Sequence, residues 1–276
     1  YRFFKNISFL CPPNNNLESN EKNCLIIKNM FILRIKKLLT IIFSFDLFWL
    51  KSLIKYRLAP TIEHKKIIKS LEIETFIDIG ANKGQFAMMA NKIYPNSTII
   101  CFEPQKAPFE TLQKVFKGFE NIKMFQFACG SKSEITEINV SNENDSSSIL
   151  NITNNQKNLY PSTFYVRKEK IKIVKIEEII NLTEVKKPIF LKIDTQGYEL
   201  EILKGINLNL IKYVYVECSY IELYEGQPLF HEIKEYLENR NFYLKDELNT
   251  SINSFGKKIQ SDFLFIKKTS ILENNA

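Results

Sequence analysis

Between Thr75 and Phe127, apolar and polar positions follow a repeating order: an apolar run, a turn, an amphipathic stretch, then another apolar run. This spacing predicts strands at Thr75–Ile79, Thr98–Phe102 and Ile122–Phe127, with helices at Gln85–Ile93 and Ala107–Phe116. Strands and helices alternating in this way make an α/β domain around a parallel sheet. Glu134–Val140 and Lys170–Lys175 alternate as extra strands. Residues 141–163, rich in Asn, Ser and Thr, read as one long loop of the kind that often serves as a lid. Glu177–Ile180 starts a short helix. Buried strands follow at Ile189–Ile193, running into Asp194, and at Tyr213–Val216, running into Glu217. Glu199–Lys204 and Phe230–Arg240 read as helices, and Phe242–Leu244 and Phe263–Ile266 as the last strands. No internal repeat is visible.

The pattern before Pro60 differs. Phe31, Ile35, Leu38, Ile42, Phe45, Trp49, Leu53 and Tyr56 recur every three or four residues, so one helical face is apolar. Lys and Arg surround it. The apolar run is short and Asp46 interrupts it, which argues against a membrane span. A helical cap on the domain is the plain reading, and peripheral contact with an anionic membrane through residues 31–56 is the sharper one. Residues 1–24 are rich in Asn and Pro, lack periodicity, and begin at Tyr1. The expected organisation is a disordered leader over 1–29, an amphipathic helical extension over 30–60 and a catalytic domain over 61–270.

The chain has 276 residues and is 45% hydrophobic, enough to build one sizeable core. Its net charge of +7 is spread over dispersed lysines, and no nucleic-acid motif accompanies it, so no nucleic-acid partner is expected. Cys11, Cys24, Cys101, Cys129 and Cys218 are an odd, scattered set without a C-x-x-C pair. That suits a reducing compartment, hence the cytoplasm, with contact at the inner membrane surface as the further option. No metal-ligand cluster appears, and the two histidines, His64 and His231, are far apart.

The chemistry concentrates in FIDIGANKGQF, residues 76–86. A strand ends at Asp78, Gly80 and Gly84 make a tight turn, and a helix begins. Such a turn lets backbone approach a ligand closely. Asn82 stands where a dinucleotide-binding turn would have its second glycine, and the Asp78 carboxylate would repel phosphates. A cationic ligand fits better, and S-adenosylmethionine carries a sulfonium and an ammonium. Ligands of open parallel sheets bind beyond the carboxyl ends of the strands. Asp78, Glu103, Asp194 and Glu217 all fall there, an arrangement that is costly unless a cationic cofactor, a metal or a protonated substrate sits among them. Glu103 ends the second strand, where a carboxylate can accept ribose hydroxyls. Phe102 and Pro104 flank it, and Phe127 and Ala128 end the third strand, where an adenine face is expected. LKIDTQGYELEILKG, residues 191–205, delivers Asp194 to the same edge, with Gly197 permitting a turn and Glu199 charging a helix start.

These strings also carry a resemblance. DIGANKGQFA, CFEPQ, VKIEEII, LKIDTQGYELEILKG, YVECSYIELYEGQPL and QSDFLFIKK, in that order over roughly residues 60–268, resemble the FkbM family of S-adenosylmethionine-dependent methyltransferases. The resemblance implies a Rossmann-like methyltransferase fold, a mostly parallel seven-stranded sheet with helices on both faces and the final strand antiparallel. It implies O-methylation of a sugar or glycan, of the surface-polysaccharide type, or of a related small molecule. Carried over, the cofactor contacts fall on Asp78, Gly80, Asn82, Gly84, Glu103 and Asp194. Gln196 departs from the pattern, since an acid often precedes that glycine.

A hydroxyl is a poor nucleophile until its proton is taken, so a base is expected. Asp194, Glu217 and His64 are the candidates. Asn144–Ser148 would lie over the acceptor, with Ser219, Tyr220, Tyr224 and His231 nearer its mouth. No metal is assigned, although a divalent ion is left open. A nucleotide-linked oxidoreductase shares the sheet, the glycine turn and Glu103, and a non-catalytic membrane-surface protein on the same fold is the other alternative. The oligomeric state is not legible.

Overall fold

The computed structural model describes residues 39–40, 46–142, 146–161, 163–253 and 255–268. The short apolar runs become β1 (Thr75–Ile79), β2 (Thr98–Phe102) and β3 (Ile122–Phe125), followed by the two-residue β4 (Ala128–Cys129). Then come β5 (Glu134–Ser141), β6 (Tyr165–Val174), β7 (Ile189–Ile193), β8 (Tyr213–Ser219), β9 (Phe242–Ile252) and β10 (Lys258–Lys267). The amphipathic stretches become α1 (Leu47–Tyr56), α2 (Lys65–Ile68), α3 (Gln85–Ile93), α4 (Lys106–Val115), α5 (Asn154–Leu159), α6 (Glu199–Lys204) and α7 (Phe230–Glu238).

The main sheet has seven strands in the order β3-β2-β1-β7-β8-β10-β9. β1 pairs in parallel with β2 and β7, β7 with β8, and β10 runs antiparallel to β8. The strand order therefore reverses at β1, and the crevice between the carboxyl ends of β1 and β7 is where such sheets hold ligands. β4, β6 and β5 form a separate three-stranded sheet.

β1 and β7 are buried along their whole length, and their two faces differ. One face is aliphatic, with Ile77, Ile79, Leu191, Ile193, Val214 and Val216 in the main core. The other is graded. Toward the amino ends of the strands it carries Phe76 and Phe190, whose rings lie 5.5 Å apart, and Phe86 of α3 packs on both. One pleat repeat further along, the same face carries Asp78, Lys192 and Tyr215, which the strand registers place side by side.

Several sequence expectations are corrected here. β3 stops at Phe125, so Phe127 and Ala128 do not end it; Ala128 instead opens the second sheet against Ile173 of β6. β8 continues to Ser219, so Glu217 is interior to the strand and faces Asp262 of β10. Pairing with β10 supplies the hydrogen bonds that let β8 run on. The stretch between β5 and β6 is not one open loop. Ser148 bridges to Asn139, Ile152 bridges to Tyr224, and Thr153 caps α5 by accepting from the Gln156 amide.

The chain divides into two compact units, residues 1–59 with 252–257 and residues 60–251 with 258–276. In the first, Asp46 caps α1 by accepting from the Trp49 amide. Of the expected apolar stripe, Phe31, Ile35, Leu38, Ile42 and Phe45 lie outside the described residues. Trp49 is buried, whereas Leu47 and Ile54 are exposed. Among the described residues, no helix is long and apolar enough to cross a membrane.

Candidate active site

The turn after β1 is shaped by the protein itself. Gly80 has φ +77, and a Cβ there would lie 1.9 Å from the Asp194 carbonyl oxygen, so the glycine lets the β1 and β7 ends converge. Gly84 has φ +90, and its absent side chain leaves room for Leu112 and Phe116. Both glycines thus allow close packing of protein on protein, since a side chain at either would meet these neighbours. The Gly80 and Ala81 amides donate to the Phe102 carbonyl, which ties the turn to β2. Asn82 is left-handed, with φ +50.

Glu103 holds this turn in place. Its carboxylate accepts from the Asn82 amide at 2.8 Å and the Gln105 amide at 2.9 Å. The residue is buried, and each oxygen keeps a second lone pair for a further donor. Burial pushes its carboxyl up to about 7 in spite of the two amides. A raised acid gives stability that is complete below its ordinary value of 4.5 and is lost as pH rises through about 7. Urea unfolding across pH 4 to 8 should therefore show wild-type stability falling over that window relative to Glu103→Gln. Parallel pH profiles for the two proteins would remove this role.

Asp78, Asp194 and Glu217 do share one edge, and the structure shows what the sequence reading missed among them. Lys192 Nζ lies 3.1 Å from Asp78 Oδ1 and 3.5 Å from Asp194 Oδ2. The protein supplies a cation of its own. Burial acts to lower the Lys192 pKa, but the charges of Asp78 and Asp194 win, and the ammonium is held protonated. Burial raises Asp78, and Lys192 only partly offsets that. Asp78 is wholly buried, so its charge is matched from within, whereas the Asp194 side chain remains 39% exposed. A lysine in an otherwise apolar strand, two residues before Asp194, was the available signal; period-two alternation puts both on one face.

Gln196 connects the remaining acids. Its Nε2 donates to Asp194 Oδ1 at 3.1 Å and Glu217 Oε2 at 2.7 Å. Burial, then the Asp194 charge, pushes Glu217 well above the usual carboxylate range. Glu199 is buried and closes the turn, accepting from the Thr195 and Gly197 amides and the Thr195 hydroxyl, which is more than a helix-start charge.

His64 does not stand open at the rim. It is buried, with Nδ1 2.8 Å from the Tyr215 hydroxyl and 3.6 Å from Asp262 Oδ2. Asn249 Nδ2 donates to the same Asp262 oxygen at 2.7 Å. Burial lowers the His64 pKa, with Asp262 opposing. Tyr215, Asn249 and Asp262 escaped the sequence reading because strand pairing, not spacing, assembles them. Of the other candidates, Tyr224 is buried and bonded to Gln196, and Tyr220 donates to Glu247. Ser219 is buried in β8, and His231 is exposed on α7. Phe127 is partly buried with the Lys172 ammonium 5.5 Å from its ring, and Phe102 stacks on Phe125 in the core. Residues 143–145 of the expected lid lie outside the described residues. Among the described residues, no group of three or more His, Cys, Asp or Glu is arranged to hold a metal ion.

Asp78, the glycine turn, Glu103, Asp194 and Glu217 fall inside one family match: the model of the methyltransferase FkbM domain covers residues 78–244. The chain belongs to the FkbM methyltransferase family. It is 22% identical over 178 residues to Methyltransferase 1 of Beauveria bassiana, covering 60% of this chain and 71% of that one. It is 23% identical over 184 residues to the 2-O-methyltransferase NoeI of Sinorhizobium fredii, covering 63% of this chain and 76% of that one. The solved structure of TehB from Haemophilus influenzae overlays with a TM-score of 0.44 at 10% identity, covering 79% of this chain and 66% of that one. As an FkbM methyltransferase, the protein is an enzyme of group transfer, which sets aside the oxidoreductase and non-catalytic alternatives.

Proposed function

We propose that this FkbM methyltransferase moves the methyl group of S-adenosylmethionine to a hydroxyl of a sugar or glycan. The reading rests chiefly on Asp194, a partly exposed carboxylate at the crevice, fixed by Lys192 on one oxygen and Gln196 on the other. The family supplies the reaction class, and the name of NoeI adds a precedent for methylation at oxygen.

The residues present fit the cofactor. Among the described residues, Asp78 Oδ2, Asn82 Oδ1 and Gln105 Oε1 are acceptor oxygens with no hydrogen-bond donor. A ligand bearing an ammonium, a sulfonium and ribose hydroxyls brings donors and positive charge, and no phosphate. The Gly80–Asn82 turn, Glu103 and Asp194 would hold it, and when bound it supplies an electrophilic methyl group. The chain's own contribution is alignment and proton removal. Holding donor and acceptor in line can supply up to about 7–11 kcal/mol of the barrier in ideal cases. Asp194 is placed to accept the hydroxyl proton, and Glu217 lies behind it through Gln196. His64 stiffens this side through Tyr215 and Asp262.

Incubating the purified protein with S-adenosylmethionine bearing a deuterated methyl group, together with glycans released from the producing cells, tests the reading by mass spectrometry. The label should appear on a sugar oxygen. Label only on nitrogen, carbon or carboxylate acceptors would overturn the choice of hydroxyl.

A further inference from the structure

The first compact unit carries an apolar surface that methyl transfer leaves unused. α1 buries one side, where Trp49 and Ser52 are each 2% exposed. Its other side is apolar as well: Leu47, Leu50 and Ile54 are 80%, 37% and 73% exposed. At about 100° per residue these three fall within about 60° of one another, on the side of the helix away from Trp49 and Ser52. Lys51 and Lys55, both exposed, flank them along one edge. The same unit includes residues 252–257, where Ile252 and Phe255 are exposed and Lys257 follows. Isolated exposed apolar side chains are ordinary, but a stripe along about two helical turns marks a surface that something covers.

We propose that this side of α1 rests on the surface of a bilayer bearing anionic lipids. Charge selects the occupant. From residue 34 to residue 57 the basic residues are Arg34, Lys36, Lys37, Lys51, Lys55 and Arg57, and the single acid is Asp46, which is engaged as the α1 cap. A second copy of the chain would set Lys51 and Lys55 against their own counterparts, with no acid on the stripe to pair them. An anionic bilayer satisfies both parts of the face. The apolar stripe enters the boundary between headgroups and acyl chains, and the lysine ammoniums reach the lipid phosphates on their flexible stems. Ten residues of helix span about 15 Å, about half of a hydrocarbon core, so α1 lies along the surface and does not cross it.

Flotation of the full chain with two sets of vesicles tests this. One set is phosphatidylcholine alone, and the other has about three parts phosphatidylcholine to one part phosphatidylglycerol. Wild type should bind the anionic set about tenfold more tightly. Raising the salt from about 0.1 to 0.5 M should remove most of that preference, because screening shortens the reach of charge to a few ångströms. Leu47→Gln combined with Ile54→Gln should weaken binding to anionic vesicles about tenfold or more, through the apolar area withdrawn from the bilayer. Lys51→Gln combined with Lys55→Gln should lower the anionic preference about threefold or more. Glutamine forms helix well and all four sites are exposed, so melting temperatures should stay within about 2 °C of wild type. Wild type that floats with neither set or equally with both, an apolar-stripe variant that floats like wild type, or a lysine variant with undiminished preference would overturn the docking face. A wild-type dimer in light scattering that the apolar-stripe variant converts to monomer would overturn it in favour of a second copy.

Discussion

Lys192→Met should destabilise the protein by about 3–5 kcal/mol, the range seen when one partner of a buried ion pair is removed. The reason lies in Asp78, which is wholly buried and has the Lys192 ammonium as its neighbouring cation. Methionine matches much of the lysine stem in volume but leaves that carboxylate without a counter-charge, so the chain must either bury a bare charge or take up a proton there. For a chain of this size the melting temperature should fall by about 10 °C. Asp78→Asn in the same chain removes the stranded charge, and the double variant should recover a large part of the loss. Thermal and urea unfolding of wild type, both single variants and the double variant complete the cycle. Additive losses would mean that the two side chains are not energetically coupled, and the account of the edge as an internally neutralised cluster would be abandoned.

Asp194→Asn should reduce turnover by about two to four orders of magnitude, the contribution of a positioned base. The substitution keeps the size of the side chain and its place at the end of β7. It removes one of the two carboxylate charges that Lys192 faces, while an amide oxygen can still accept from Gln196. Cofactor affinity should fall by less than about tenfold, because Glu103 and the Gly80–Asn82 turn are untouched. Rates of methyl transfer and calorimetric affinities, measured side by side, decide it. Losses that are equal in both, or negligible in both, would take Asp194 out of the chemistry.

The two variants probe opposite ends of one design. Asp78 and Lys192 are structural charges that cancel inside the sheet, while Asp194 shares the same ammonium but reaches solvent. A cationic donor arriving at the crevice therefore meets a cluster whose surplus negative charge lies with Asp194 and the acids behind it. Burial raises both Glu217 and Asp262, which limits that surplus until a cation arrives.

Much of this was legible along the chain. β1, β2, β7, α3 and α6 fall at the predicted positions because short apolar runs between turns admit few alternatives. The glycine turn and the LKIDTQG string located the crevice, and their order along the chain matched the family. The position of Asp194 at a strand end followed from local pattern alone. Local pattern did not show the packing around Gly80 and Gly84, where a side chain would meet the Asp194 carbonyl, Leu112 and Phe116.

What the sequence determined by itself was therefore the alternation of elements, the family, and the acids Asp78, Glu103 and Asp194 at or beside strand ends. Tertiary structure decided their environment. Register set Lys192 beside Asp78, strand pairing with β10 carried β8 past Glu217 to meet Asp262, and the folded stretch before β6 brought Ser148 to Gln196 while the segment after β8 brought Tyr224 to it. The physical reason is range. Periodicity reports which face a side chain occupies, whereas the charge it meets there belongs to residues far along the chain, and only the packed sheet brings those together.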